Sequence, residues 1–304
     1  MEFLRALAQI RTPFFDSVMG YATYLGDETV FMAVGLIVIW CVDKKWGFRL
    51  FYMGLLGTAL NQLLKAVFLL PRPWVQDPSF SIVEAAREGA TGYSFPSGHT
   101  QSAVMLFGGV AMWLKKRWAT AAAVGIILLT AFSRMYLGVH TPLDVGVSLL
   151  AGLLMLLLMH FAFRYADSGK RAVYVLGGAG MLFSVAVILY LLLAPATAAN
   201  VAEFDAHGRE SVWSLVGAML GLLVIWRVDD RYLHFPVKAV WWAQILKCLG
   251  GLALLMAVRI VLKAPLNALF MGDAAANGLR YFLMTIIGGA VWPMTFRFFS
   301  RLGT

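Results

Sequence analysis

Charge is what this sequence has least of. Only 13% of its 304 residues are Asp, Glu, Lys or Arg, against roughly 25% in a typical soluble domain. Apolar residues make up 61% and the mean hydropathy is +0.77. That balance excludes an ordinary soluble domain and points to a chain that crosses a membrane several times. The few charges are lopsided, with a net of +9. In a soluble protein such an excess suggests nucleic acid. In so apolar a chain it fits positive cytoplasmic loops, and no nucleic-acid partner is expected. Cysteine is nearly absent: Cys41 and Cys248 lie near or inside different apolar stretches. Two scattered cysteines exclude a disulfide framework or a cysteine metal cluster, and they are expected to be unrelated small core residues. No linker, low-complexity tract or clear repeat is present, so no separate soluble domain is expected. The first residues lack both a continuous apolar core and an A-x-A site, so a cleavable signal peptide is not expected. Phe3, Leu7, Ile10 and Phe14 instead recur at helical spacing, which predicts a short amphipathic helix lying in the interface.

A helix needs roughly 20 apolar residues to cross the hydrocarbon core. Nine stretches suit, at about 24–41, 50–70, 98–114, 118–134, 143–162, 172–194, 211–226, 239–262 and 279–297. The fold class expected is therefore all-α, a polytopic bundle of nine transmembrane helices. Alternate connections differ in charge. One set holds Lys44, Lys45, Arg49, Lys115, Lys116, Arg117, Arg164, Lys170, Arg171, Arg227, Arg231, Lys238, Arg297 and Arg301. The other holds Arg5, Arg11, Arg72, Arg87, Arg209 and Lys263. Fourteen against six puts the first set in the cytoplasm, the N-terminus outside and the C-terminus inside. An outer loop over 195–210, with Glu203, Asp205 and Glu210, agrees with this. The longest outer loop, 71–97, carries Pro71, Pro73, Pro78, Gly89, Gly92 and Pro96, which argues against continuous helix there.

This orientation gathers three polar segments on one side. Lys65 and Arg72-Pro73 end the second span, Pro96-Ser97-Gly98-His99 opens the third, and Ser133-Arg134 with His140 and Asp144 links the fourth to the fifth. Ionisable groups at membrane depth are costly and are therefore seldom idle. Lys65, Arg72 and Arg134 supply three cations suited to phosphate oxygens. Ser97 and Gly98 stand at a helix N-terminus, where free N–H groups face anions and glycine lets a ligand approach the backbone. His140 and Asp144 are four residues apart, so the carboxylate can fix the imidazole tautomer and leave the other nitrogen as nucleophile. His99 can then protonate the leaving oxygen. Each part alone has a plainer explanation: Lys65 as an interfacial lysine, Ser97 as a helix cap, Asp144 as the partner of a capped start at Thr141-Pro142. Their order and shared side argue for chemistry.

These residues resemble the signature of the type 2 phosphatidic acid phosphatase superfamily, which also includes glucose-6-phosphatases and vanadium haloperoxidases. Its three parts are matched at every position: Lys65, Arg72 and Pro73; Pro96, Ser97, Gly98 and His99; and Ser133, Arg134, His140 and Asp144. The resemblance covers roughly 50–150, and its helical frame reaches about 194. It implies that His140 attacks phosphorus to form a phosphohistidine, that Asp144 orients it, and that His99 protonates the leaving alcohol and then helps water attack. Lys65, Arg72, Ser97, Gly98 and Arg134 would bind the phosphoryl oxygens. No metal or other cofactor is expected. Residues 1–194 are thus read as the phosphatase core and 195–304 as a three-helix membrane extension without an assigned role. In that extension Lys247 lies well inside a span, as a paired structural lysine or the mark of a substrate path. Trp241-Trp242 and Phe298-Phe299 are expected to be interfacial anchors. Asn61, one turn before Lys65, reads as a packing amide or a supporting partner of the site.

A site at headgroup height favours a lipid phosphate or diphosphate: phosphatidate, phosphatidylglycerol phosphate or a polyprenyl diphosphate. Trp74, Tyr93, Phe95 and Tyr136 read as ordinary interfacial packing or, alternatively, as contacts to a headgroup. The nine spans also resemble glucose-6-phosphatase, which leaves a sugar phosphate as the alternative. A phosphotransferase passing the same intermediate to an acceptor alcohol, and a transporter or scramblase without chemistry, stay open. The expected setting is a bacterial plasma membrane with the site on the periplasmic or extracellular side. Oligomeric state is not read from the sequence.

Overall fold

The computed structural model describes residues 1–167, 169–193 and 201–302. Among these there is helix and turn but no strand. Six helices are long and apolar enough to cross a membrane, and a seventh span results if Pro13–Gly26 and Glu28–Val42, bent by 51° at Asp27, count as one. The six are Lys44–Gln76, Arg117–Tyr136, Pro142–Ala166, Gly208–Leu233, Trp241–Leu269 and Ala275–Arg301. The stretch 98–114 is also helical throughout, and 174–190 is a shorter apolar helix. Residues 194–200 and the side chains of Glu203 and Asp205, in the expected outer loop, lie outside the described residues; helix Val201–Val228 already begins within that loop's range. Helix Lys44–Phe68 starts earlier than the apolar run, because Lys44 and Lys45 find anionic partners in Asp229 and Asp167, at 2.7 and 2.6 Å. The loop 71–97 holds only two short helical turns, Pro73–Gln76 and Glu84–Ala86, as its proline and glycine content predicts.

The chain forms two compact units. The first comprises Met1–Phe31, Leu56–Tyr165 and Leu193–Gly208; the second comprises Met32–Leu55, Ala166–Leu192 and Arg209–Thr304. In the first, the N-terminal helix Glu2–Gln9 does form, but Leu4 and Leu7 turn inward while Phe3 and Ile10 stay exposed. Leu4 packs with Phe80, Ile82, Tyr136, Leu137 and Val139. Arg5 pairs with Asp77 at 2.6 Å, and Arg11 donates to the carbonyls of Tyr136 and Ser81 at 3.0 and 2.7 Å. The helix thus docks on the loops around the third motif. Gly138 makes this possible: its φ is +82, and a Cβ there would meet Arg11 Nη2 at 2.7 Å and the Phe80 ring at 3.0 Å.

The second unit is knit by aromatics and small residues. Trp40 is wholly buried, donates to the Gly288 carbonyl at 2.9 Å and stands edge-on to Phe296. Gly217 approaches Gly278 so closely that a Cβ would lie 1.9 Å from its carbonyl oxygen, the small-residue contact that lets membrane helices pack. Lys247 is fully buried and paired: it donates to the Val237 carbonyl at 3.0 Å and to Gln244 Oε1 at 2.9 Å, and stands 4.3 Å from the Phe296 ring centroid. Of its two readings, the structural one accounts for all these contacts. The two cysteines, expected to be unrelated, meet as free thiols with sulfurs 3.4 Å apart. They are 207 residues apart in sequence, a pairing that spacing could not reveal. Trp241 and Phe298 are exposed, while Phe299 packs against Phe296 and Trp292.

Gly138→Ala is expected to lower the thermal unfolding midpoint of detergent-solubilised protein, through a strain of about 1–3 kcal/mol. Gly125→Ala, in the exposed face of helix Arg117–Tyr136 with no atom within 4 Å of the added carbon, is expected to leave it level or raise it.

Candidate active site

All three polar segments converge in the first unit. Lys65 sits in the last turn of helix Lys44–Phe68, buried, with its ammonium donating to the Tyr93 carbonyl. Four residues later the chain leaves the helix, and Arg72 precedes a short helix opened by Pro73. Arg72 is 3% exposed and uses most of its donors on backbone: Gly92 O at 3.0 Å, Thr91 O at 2.6 Å and Val139 O at 3.1 Å. Its Nη1 also lies 2.9 Å from His140 Nε2. A guanidinium has no lone pair to offer, so Nε2 is the acceptor and the ring proton is on Nδ1. That nitrogen faces Asp144 Oδ2 at 3.5 Å and has no hydrogen-bond partner within range.

Asp144 does two jobs. One oxygen accepts from the Thr141 N–H at 2.7 Å and from Ser94 Oγ at 2.6 Å, while Thr141 Oγ1 accepts from the Asp144 N–H at 3.2 Å. This reciprocal cap starts helix Pro142–Ala166 and holds the carboxylate beside the imidazole. Ser97 caps the helical run over 98–114, with Oγ accepting from the Thr100 N–H at 3.4 Å. Its own N–H donates to the Asp144 carbonyl at 3.2 Å, which joins the second motif to the third. At Gly98 an added Cβ would meet only Asn61 Oδ1, at 3.6 Å, so glycine here leaves room beside the backbone rather than relieving a clash. Asn61 donates to the Pro96 carbonyl at 3.4 Å and to Gln101 Oε1 at 3.0 Å, tying helix Lys44–Phe68 to the turn that carries Ser97. It packs and supports at once.

Arg134 is 1% exposed and spends Nη1 on Thr23 Oγ1 at 2.6 Å. Its Nε and Nη2 are buried with no partner among the described residues. Lys65, Arg72 and Arg134 therefore bury three cations around His140, with the buried carboxylate of Asp144 beside them. Buried charge and orphaned donors carry a penalty unless a counter-group meets them. A tetrahedral dianion is such a group, and guanidinium forks match its oxygens. Burial, with Arg72, Arg134 and Lys65 adding to it, pushes His140 well below the ordinary histidine range. The imidazole is thus neutral at neutral pH and holds a usable lone pair. Among the described residues no group of three or more His, Cys, Asp or Glu side chains stands at metal-binding spacing. Tyr93, Phe95 and Tyr136 are buried, in keeping with the packing alternative; Trp74 stands over Arg72 and Arg87.

Sequence reading did not single out Thr23, Asp27 or Ser94. Thr23 and Ser94 carry no signal of their own in an apolar helix and a loop. Asp27 reads simply as the cap of the helix beginning at Glu28, which it is: Oδ1 accepts from the Thr29 N–H at 2.8 Å. Its other oxygen, Oδ2, faces His99 Nε2 at 3.8 Å.

A neutral imidazole among buried cations, set in helices fit for a bilayer, belongs to membrane proteins that work on phosphate groups. Comparison with known proteins narrows this class. The PAP2 superfamily profile matches residues 46–167, and that for the PAP2 superfamily phosphatase transmembrane extension matches residues 213–303. The chain belongs to the PAP2 superfamily, as an integral membrane phosphatase with the transmembrane extension. It is 31% identical over 156 residues to undecaprenyl-diphosphatase BcrC of Bacillus subtilis, covering 50% of this chain and 75% of BcrC. Phosphatidylglycerophosphatase B of Bacillus subtilis is 28% identical over 169 residues, 51% of this chain and 78% of that protein. A probable sphingosine-1-phosphate phosphatase of Dictyostelium discoideum is 28% identical over 230 residues, 70% of this chain but 54% of that protein. No solved structure matches the chain with significance.

A histidine pKa depressed in the folded protein keeps the neutral form as pH falls past the ordinary value of 6.5, and loses it only at the lower folded value. The kcat of phosphate release is therefore expected to stay level from neutral pH through 6.5 as far as His140 is concerned. An acid limb of kcat with its midpoint at or above 6.5 would contradict the neutral-nucleophile reading.

Proposed function

We propose that this protein hydrolyses a lipid phosphate or diphosphate at the outer face of a bacterial plasma membrane, through a phosphohistidine on His140. The observation that carries this is the buried cage of Lys65, Arg72 and Arg134 around a neutral imidazole, with two Arg134 donors unspent. The named activities of the relatives, on undecaprenyl diphosphate, phosphatidylglycerophosphate and sphingosine 1-phosphate, all concern lipid phosphates and support that substrate class. Nine spans would follow from the apolar runs, and an outer N-terminus and cytoplasmic C-terminus from the loop charges; together they would set the site at headgroup height. Residues 1–194 would form the catalytic core and 195–304 the membrane extension.

In the reaction, the phosphoryl oxygens bind to Lys65, Arg72, Arg134 and the N–H groups at Ser97 and Gly98. An incoming oxygen takes over the Arg72 donor that rests on His140 Nε2 and so releases the lone pair for attack. The Nε2–P bond forms as the P–O bond to the lipid breaks. Asp144 holds the Nδ1 proton and stabilises the positive ring, and His99 gives its proton to the leaving oxygen. Water activated by the now neutral His99 then cleaves the phosphohistidine. The side-chain cations supply the charge stabilisation that a metal provides elsewhere, so no metal takes part in this scheme.

The purified protein is expected to release phosphate in the presence of EDTA from at least one of phosphatidate, phosphatidylglycerol phosphate and an undecaprenyl diphosphate analogue, and not from glucose 6-phosphate. His140→Ala is expected to lower kcat by at least about 10³-fold while the protein remains folded. In His99→Ala given a 32P-labelled aryl phosphate, whose leaving group needs no proton, acid-labile label is expected to accumulate on His140. Release from glucose 6-phosphate alone would replace the lipid reading with a sugar-phosphate one. Activity surviving in folded His140→Ala would remove the covalent mechanism.

A further inference from the structure

The site has a fourth contributor outside the three motifs. The turn Tyr24–Gly26 and its flanks, Thr23 and Asp27, press against the second and third motifs. Thr23 Oγ1 accepts from Arg134 Nη1 at 2.6 Å. Gly26 abuts the backbone of His99: a Cβ there would stand 2.3 Å from the His99 carbonyl oxygen and 2.8 Å from Thr130 Cγ2. Only a residue without a side chain lets the turn come so near. Asp27 follows at once, with Oδ1 pinned by the Thr29 N–H at 2.8 Å and Oδ2 facing His99 Nε2 at 3.8 Å.

We propose that Asp27 is a positioning residue for His99, orienting the imidazole and balancing the charge it carries as the acid for the leaving group. This rests on the phosphatase reading above. An acid must hold its proton until the bond breaks, yet burial first, and then Arg134, Arg72 and Lys65, work against a charged His99 ring. A fixed carboxylate facing Nε2 opposes them in part, and Asp27 also acts on Arg134. Asp27 is the carboxylate paired with His99 among the described residues. With Nε2–H toward Asp27, Nδ1 is the nitrogen that gives its proton to the leaving oxygen, and the ring is left neutral with Nε2–H still in place. Asp144 and Asp27 thus play parallel parts. Each carboxylate is held by a backbone N–H at a helix start and faces one of the two histidines.

The test compares substrates that share the phosphoryl group but differ in the leaving group. A lipid alkyl phosphate leaves as an alkoxide and needs the proton; p-nitrophenyl phosphate leaves as a stable phenolate and does not. Single-turnover release of alcohol or phenol reads the first step alone. Asp27→Asn keeps an oxygen for the Thr29 N–H, so the helix start is preserved. It is expected to slow alkyl release about 10- to 100-fold, part of the roughly 10²–10⁴ that a general acid contributes. On the aryl ester it is expected to change release by less than about threefold, with inhibition by inorganic phosphate unchanged. Asp27→Glu is expected to recover part of the loss. In a His99→Ala background, Asp27→Asn is expected to add nothing. Equal loss on both esters, weaker phosphate inhibition, or a further loss in that background would overturn the proposal while the phosphatase reading stands. If His99→Ala itself slows both esters alike, the acid assignment fails, and the proposal with it.

Discussion

Three cations buried within one unit, around one imidazole, set the terms for the rest of this molecule. Each of Lys65, Arg72 and Arg134 is less than a tenth exposed. Their mutual repulsion in a medium of low dielectric is partly relieved by backbone carbonyls: Tyr93 for Lys65, and Gly92, Thr91 and Val139 for Arg72. That need for oxygen explains the irregular loop 71–97. A helix would spend its carbonyls internally, whereas proline and glycine keep them free to turn toward a guanidinium. The loop is thus a structural counter-charge as much as a connection.

The same economy appears at the helix starts. Ser97 and Asp144 each cap a helix with one group and hold the site with another, and the two are joined by the Ser97 N–H on the Asp144 carbonyl. Because the caps are part of the secondary structure, displacing a site residue would fray a helix. Precision in the site is therefore tied to the cooperativity of the bundle. The N-terminal segment adds to this: Leu4, Arg5 and Arg11 lock it onto Tyr136, Ser81 and Asp77, and Thr23 reaches Arg134 from its far end.

Much of this was legible in the residues. Apolar runs near 20 residues mark helices, which satisfy their polar backbone groups internally, so the all-α class follows from the bilayer itself. Lys65, Arg72, Ser97, Gly98, His99, Arg134, His140 and Asp144 stood out together, by their order, their shared side and their match to a three-part signature, although each alone has a plain explanation. What was not legible depended on contacts far apart in sequence. Asp27 is indistinguishable from an ordinary cap until His99, 72 positions later, is folded against it. Cys41 and Cys248 likewise share nothing but their final proximity. The bend at Asp27 and the early start of helix Lys44–Phe68 were missed because hydropathy sees apolarity, not the direction of a chain or the anions that shelter a lysine.

The contact between Arg72 and His140 Nε2 has a consequence for chemical selectivity. A neutral imidazole is a general nucleophile, open to acylating and alkylating agents as well as to phosphorus. Here its lone pair is engaged by a cation that only an oxyanion can draw away. In the proposed reaction, electrophiles without negative oxygens would meet a masked nitrogen, and an oxyanion that draws Arg72 away would unmask it. Discrimination then begins with charge, before the shape of the lipid is read at all.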